Sequence, residues 1–231
     1  NESGKVSDFD IVTVDIVAQP SAPDAYPKTI YESLYNMRGG AVLHDIAASV
    51  THDKSAEKYL MKSIVFAEYG CGQSTYWVLK NTTAQILSVD TSIDWIKTIK
   101  QSKVYDDQKI KLKYIDVGKV ENWGFPIDYS KRDSFIDYTN WVWKQNLIPD
   151  TVLIDGRFRV CCFFTCLKFA KEGTIIIFDD YFDRPYYHIV EKYLKVHQKC
   201  GRQAIFKIFD KKKFDTKTID TEIKNFRHVL N

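Results

Sequence analysis

Five short runs in the middle of the chain are rich in β-branched and aliphatic residues: Ser63 to Glu68, Gln85 to Asp90, Ile110 to Asp116, Asp150 to Asp155 and Gly173 to Asp179. Three of them place apolar residues on consecutive positions (Ile64, Val65, Phe66; Val152, Leu153, Ile154; Ile175, Ile176, Ile177), which marks strands covered on both faces, as in a parallel sheet. Helix-capable stretches or long connections separate the runs, so the pattern predicts alternating β and α units. Ser92 to Ser102 repeats Ile93, Ile96 and Ile99 at helical spacing, and Phe158 to Lys171 is apolar nearly all round, as a deeply buried helix is. Asp183 to Cys200 reads as the last main helix, with an Asp cap, Pro185 in its first turn and Gly201 as its stop. Ser134 to Lys144 reads as an extra amphipathic helix inside the long insertion Trp123 to Pro149.

The ends carry weaker patterns. Residues 9 to 18 suggest a strand, 28 to 61 helices broken at Gly39 and Gly40, and 203 to 226 a hairpin turning near Lys211 to Lys213. The proline-bearing stretch Gln19 to Pro27 is the one linker-like segment, giving an N-terminal arm with helices over 1–60 and an α/β body over 61–231. With 231 residues and 45% hydrophobic composition, the chain has the makings of one large core. No apolar run approaches the ~18 residues of a membrane helix. A net charge of +3 is too small for a dedicated phosphate-backbone binder, so neither a membrane nor nucleic acid is an expected partner. Five cysteines, an odd number with three in one apolar segment, suit a reducing compartment, and the expected location is the cytoplasm. The first residue is Asn1 rather than Met, which suggests one domain of a larger protein.

Candidate chemistry comes from position. Each of the five runs ends in an acid: Glu68, Asp90, Asp116, Asp155 and Asp179. In an open parallel sheet these ends share one edge, where ligands bind at the reversal of strand order. The first run continues through Gly70, Cys71, Gly72, Gln73, Ser74 and Thr75, a Gly-x-Gly turn into a helix that lets backbone N–H groups approach an anionic group. Thr75 occupies the third glycine position of the dinucleotide fingerprint, and a carboxylate at Glu68 would repel a pyrophosphate. A ligand with an ammonium for Glu68, a carboxylate for the helix start and no phosphate fits better. The methionine half of S-adenosylmethionine has those groups. Asp90, 22 residues after Glu68, stands close to the spacing of a ribose-binding acid.

The Glu-x-Gly-x-Gly turn, the acid at Asp90 and the strand order resemble those of class I S-adenosylmethionine-dependent methyltransferases over about residues 60 to 210. The resemblance implies a Rossmann-like, mostly parallel seven-stranded sheet with helices on both faces and a C-terminal antiparallel hairpin. It also implies Glu68, Gly70, Gly72 and Ser74 for the methionine part, Asp90 for ribose and Asp116 for adenine. Leu153-Ile154-Asp155 and Phe178-Asp179-Asp180 are similar to the segments with which cation-dependent O-methyltransferases hold a metal, with Asp180 in place of Asn and Phe158 where many carry a lysine. Asp155, Asp179 and Asp180 would then offer hard oxygen donors to magnesium, manganese or calcium.

The catalytic candidates are Asp155, Arg157 and His188. Gly156 permits a turn that points Arg157 into the cleft; alternatively, Arg157 pairs with Asp179 or Asp180 and the acids form a salt-bridge network without metal. His188 is a candidate base, although a lone His beside an apolar stripe is more often structural. Core packing explains any single aromatic residue after the fifth run (Tyr181, Phe182, Tyr186, Tyr187) or in the insertion (Trp123, Trp141, Trp143) better than a ligand does, but as a group flanking the cleft they point to a sugar, glycan or flat acceptor. The expected activity is O-methylation of a small-molecule or glycan hydroxyl. Its rivals are a phenol methyltransferase, an aminopropyltransferase, a nicotinamide oxidoreductase and a catalytically silent binding module.

Overall fold

The computed structural model describes residues 54–230. The chain divides into two units, Asn1–Thr51 and His52–Asn231, and the described residues lie in the second. The expected strand at 9 to 18, the linker and all but the end of the 28 to 61 helical stretch lie outside them. The described chain opens with α1 (Lys54–Leu60) and alternates through β1 (Val65–Tyr69), α2 (Gln73–Asn81), β2 (Gln85–Asp90), α3 (Ile93–Gln101) and β3 (Ile110–Tyr114). Then come α4 (Phe135–Asn140), β4 (Thr151–Ile154), α5 (Arg159–Phe169), β5 (Ile175–Phe178), β6 (Gln198–Cys200), β7 (Gln203–Lys207) and α6 (Thr216–Phe226).

The seven strands form one sheet in the order β3-β2-β1-β4-β5-β7-β6. Strands β1 to β5 are mutually parallel, and β7 runs antiparallel to both β5 and β6. The order reverses between β1 and β4. Successive residues on a strand face opposite layers: Phe66, Ile86, Leu153 and Ile177 pack with Ala56, Leu60, Val78, Ile96 and Ile99, while Ala67, Leu87, Val152 and Ile176 pack with the layer containing α5 and α6. Asp150 fastens the bottom of this register, accepting from the Ser63 hydroxyl at 2.6 Å and from the backbone N–H groups of Ile64 and Val65 at 2.8 and 2.9 Å. β3 is one edge strand and its burial alternates, with Lys111 and Lys113 exposed and Leu112 and Tyr114 half-buried.

The five predicted strands and the helices at 92 to 102 and 158 to 171 are all present. Ser92 caps α3 by accepting from the Trp95 N–H. The extra helix is also there, as α4 flanked by 3-10 turns at Arg132–Ser134 and Trp141–Lys144.

Two expectations fail. Asp183 to Cys200 is not one helix: a 3-10 helix covers Pro185–Lys192, and the chain then straightens into β6. Tyr186, Tyr187, His188, Ile189 and Val190 are weak helix formers, and the backbone of 198–200 finds partners on β7 instead. Gly201, with φ 57°, is therefore a hairpin turn and not a helix stop. Residues 203 to 226 do not form a hairpin either. β7 is followed by a 3-10 turn at Lys211–Lys213 and by α6, whose Asp215 cap accepts from the Thr218 N–H.

Candidate functional site

Glu68 lies inside β1 with no exposed surface. Its carboxyl accepts from the Ser88 hydroxyl at 2.7 Å, from the Ser74 hydroxyl at 2.8 Å and from the Thr75 hydroxyl. Thr75 also accepts from the Gly72 N–H at 2.8 Å, so the residue that departs from the dinucleotide fingerprint ties both arms of the turn together. Burial raises the Glu68 carboxyl to about 7, with Asp90 adding to the rise and the three hydroxyls opposing it. This corrects the expectation of an open carboxylate facing an ammonium: Glu68 and Ser74 bind each other and hold the turn.

The turn itself is closed from within. Gly70 N–H donates to the Val89 carbonyl at 2.9 Å, Cys71 N–H to Asp90 Oδ2 at 2.7 Å and Gly72 N–H to Thr75. These donors are therefore not aimed at an anionic ligand group, another difference from the sequence reading. Gly70 has φ 95°, and a Cβ there would lie 2.7 Å from the Cα of Gly156. The turns after β1 and β4 thus touch backbone to backbone at the strand-order reversal, and a Cβ on Gly156 would collide with the Tyr138 hydroxyl. Two glycines are a condition of this approach.

Asp90 stands at the end of β2, 5% exposed, and accepts from Cys71 and, at 2.6 Å, from the Ser92 N–H. Burial raises its carboxyl, and backbone donors hold it in check. Asp116 lies two residues past β3, half exposed and ion-paired with Lys131, whose hydrogen bond lowers its carboxyl. Beyond it, the segment Val120–Pro126 folds back over the end of β2, where the Thr91 hydroxyl donates to the Gly124 carbonyl at 2.7 Å and Trp123 stacks on Trp95.

Asp155, Asp179 and Asp180 do come together after β4 and β5, with ligand-capable oxygens within 4.8 Å of one another. Each already has a guanidinium. Arg202 grips Asp179 at 2.7 and 3.1 Å and reaches Asp180 at 3.3 Å. Arg184 meets Asp180 at 2.9 Å, and the buried Arg159 bonds Asp155 and Asp180 at 3.2 Å each. Arg159 also donates to the carbonyls of Gly156, Asp179 and Asp155, so it stitches the β4 and β5 loops. Gln203 adds a bond to Asp179 at 2.8 Å. Burial next to Asp179 lifts the Asp155 carboxyl well above the usual range; for Asp179 burial pulls the same way, but Arg202 and Gln203 outweigh it and lower the carboxyl. Three cations already neutralise three acids, so the donor set does not fit a divalent metal, which would sit against three guanidiniums. This is the salt-bridge alternative, made by different arginines from the one the sequence suggested.

Arg157 makes none of those pairs. Its N–H donates to the Tyr138 hydroxyl at 3.2 Å, and its guanidinium lies 5.8 Å from the Phe125 ring centre. His188 does not join the acids: its Nε2 is 3.1 Å from the Tyr181 carbonyl, and its ring packs on Tyr181. Of the aromatic candidates, Tyr181 and Tyr187 are core, whereas Trp123 and Tyr186 are 71% and 56% exposed. Sequence reading missed Arg159, Arg184 and Arg202. Arg159 carried a signal, since it follows Asp155 by four residues at a helix start; Arg202 carried none, because its position depends on the β6–β7 turn.

The sheet order and the glycine turn after β1 give the chain a methyltransferase-like α/β fold. Among solved structures, a methyltransferase-like protein from Silicibacter pomeroyi DSS-3 matches at 26% identity over 76% of this chain and 93% of its own, with a TM-score of 0.66. The N-methyltransferase NodS from Bradyrhizobium japonicum WM9 (10% identity, 71% and 98% of the two chains, TM-score 0.43) and the TDP-rhamnose 3′-O-methyltransferase CalS11 (11%, 82% and 89%, 0.42) are more distant. No protein-family model and no curated protein matches the chain. Among the described residues no helix is long and apolar enough to cross a membrane, and all five cysteines are free and buried.

Proposed function

We propose that this protein transfers the methyl group of S-adenosylmethionine to a hydroxyl of a sugar or glycan acceptor. The observation that carries the reading is the contact of the Gly70 and Gly156 turns beside Asp90, which brings Asp90 and Asp155 to one edge of the sheet; the reading takes Asp90 as the ribose acid and Asp155 as the acceptor-side acid. Asp90 keeps lone pairs beyond its two backbone bonds for ribose hydroxyls. Asp155, with 38% of its side chain exposed, is the most open of the three clustered acids. Burial beside Asp179 raises its carboxyl, so it takes the acceptor's proton from its ionised form only.

In the transfer, the acceptor oxygen forms a bond to the methyl carbon as the carbon–sulfur bond breaks. The electron pair stays on sulfur, giving a neutral thioether, and the hydroxyl proton passes to Asp155. Holding the two reactants in line supplies most of the acceleration in such a reaction. No metal is assigned a step. The exposed rings of Trp123 and Tyr186 support a sugar acceptor, since flat faces stack on pyranose C–H surfaces.

The test is a thermal-shift titration with S-adenosylhomocysteine. At about a hundred times its dissociation constant the ligand adds about 2.7 kcal/mol of stability, an easily read shift. Asp90→Ala is expected to abolish it, and a full shift in that variant would refute the ribose assignment. A screen of hydroxyl and amine acceptors with labelled methyl donor then separates turnover from silent binding and O-methylation from other transfers.

A further inference from the structure

At the ends of β4 and β5, where the sequence presented acids, the folded protein also gathers arginines. Four guanidiniums, those of Arg157, Arg159, Arg184 and Arg202, stand near three carboxylates, and the last three arginines account for all of them. Arg157 is left over. Its Nε is buried without a hydrogen-bond partner, and among the described residues no carboxylate lies within ion-pair distance of it. Phe125 is its neighbour on one side, and Arg159 and Arg184 are close enough to repel it. A half-buried guanidinium between an aromatic ring and two other cations is unfavourable by itself and favourable once an anion arrives. The glycine turn provides no such receptor, because the N–H groups of Gly70, Cys71 and Gly72 are consumed internally.

We propose that Arg157 is the oxyanion receptor of this cleft, taking a carboxylate or phosphate group carried by a substrate. The inference rests on the methyltransferase reading only for the identity of that substrate. The donor brings one candidate group, the carboxylate of its methionine part. An acceptor bearing a carboxylate or phosphate brings the other. The planar fork of arginine matches both groups, and its position directly after Gly156 puts it beside the contact between the two turns.

The experiment is calorimetry on the full chain and on Arg157→Gln, with three probes: S-adenosylhomocysteine, 5′-methylthioadenosine, which lacks the amino-acid part, and inorganic phosphate. If the donor carboxylate is the partner, Arg157→Gln weakens S-adenosylhomocysteine by about tenfold or more and leaves methylthioadenosine unchanged. If the acceptor supplies the group, S-adenosylhomocysteine binds the variant normally, while phosphate binds wild type and not the variant. Equal affinities of wild type and variant for S-adenosylhomocysteine and for phosphate, including no phosphate binding by either, overturn the proposal. Failure of wild type to bind S-adenosylhomocysteine at all counts against the methyltransferase reading instead, and the phosphate comparison then decides on Arg157 alone. Arg157→Lys keeps the charge and loses the fork, so intermediate affinities there support the receptor role; this variant supplies the comparison if the glutamine variant does not fold.

Discussion

Glu68 shows how a residue can be read correctly for its place and wrongly for its task. Its carboxyl sits at the turn the pattern indicated, yet burial lifts it from 4.5 to about 7, so the folded chain keeps a proton that the unfolded chain sheds. A group that binds its proton more tightly when folded makes stability fall as pH rises from about 4.5 to about 7, and adds nothing further above that. The loss across that window is about 3 kcal/mol. Glu68→Gln fixes the side chain neutral and removes this dependence. In urea unfolding at pH 5 and pH 8, the variant is expected to gain ~2 kcal/mol on wild type between the two conditions. Parallel changes in the two proteins would show that the carboxyl titrates normally. The sequence could not disclose this, because Ser88 reaches Glu68 only through the pairing of β1 with β2. Thr75 was visible as a departure from a fingerprint, but its double role depends on how the fold brings Gly72 and Glu68 to it.

At the scale of elements, what was legible followed from burial on both sides. β1, β4 and β5 announce themselves through consecutive apolar residues, and α5 through an apolar surface with no polar face; these patterns depend on the core alone. The C-terminal third was harder, since Pro185 and Gly201 suit a helix and a hairpin equally until the backbone of 198–200 has a partner. α6 was readable in principle, with Asp215 three residues before Thr218 and Ile219, Ile223 and Phe226 at helical spacing. The misread hairpin matters because its turn delivers Arg202 to Asp179, which is only 1% exposed. Arg202→Ala removes the guanidinium that pairs with that carboxylate, leaving it Gln203 and the Asp155 carboxyl, and is expected to cost about 3 kcal/mol in denaturant unfolding. Arg202→Lys should recover part of this, since an ammonium keeps the charge without the two-pronged grip. An unchanged unfolding midpoint for the alanine variant would mean that the pair contributes nothing to holding the β5 loop.

Over the whole molecule, the distribution of charge at the sheet edge decides what chemistry the cleft can support. The net charge of +3 says little about it, because cations and acids are sorted locally: three carboxylates at the ends of β4 and β5 are matched by Arg159, Arg184 and Arg202. A divalent ion entering there would have to displace at least two guanidiniums, one of them 3% exposed and bonded to three carbonyls. Moving that arginine leaves a buried cation and three buried carbonyls without partners, a penalty of several kcal/mol that ordinary carboxylate coordination of magnesium would not offset. Methyl transfer by this protein is therefore expected to proceed at the same rate with a chelator present, and added magnesium or manganese should not raise it. Initial rates with labelled donor, measured on protein stripped by chelation and gel filtration, provide the check. A loss of about tenfold or more that magnesium restores would show that the arginines yield to a metal during turnover, and that the carboxylate cluster serves the ion after all.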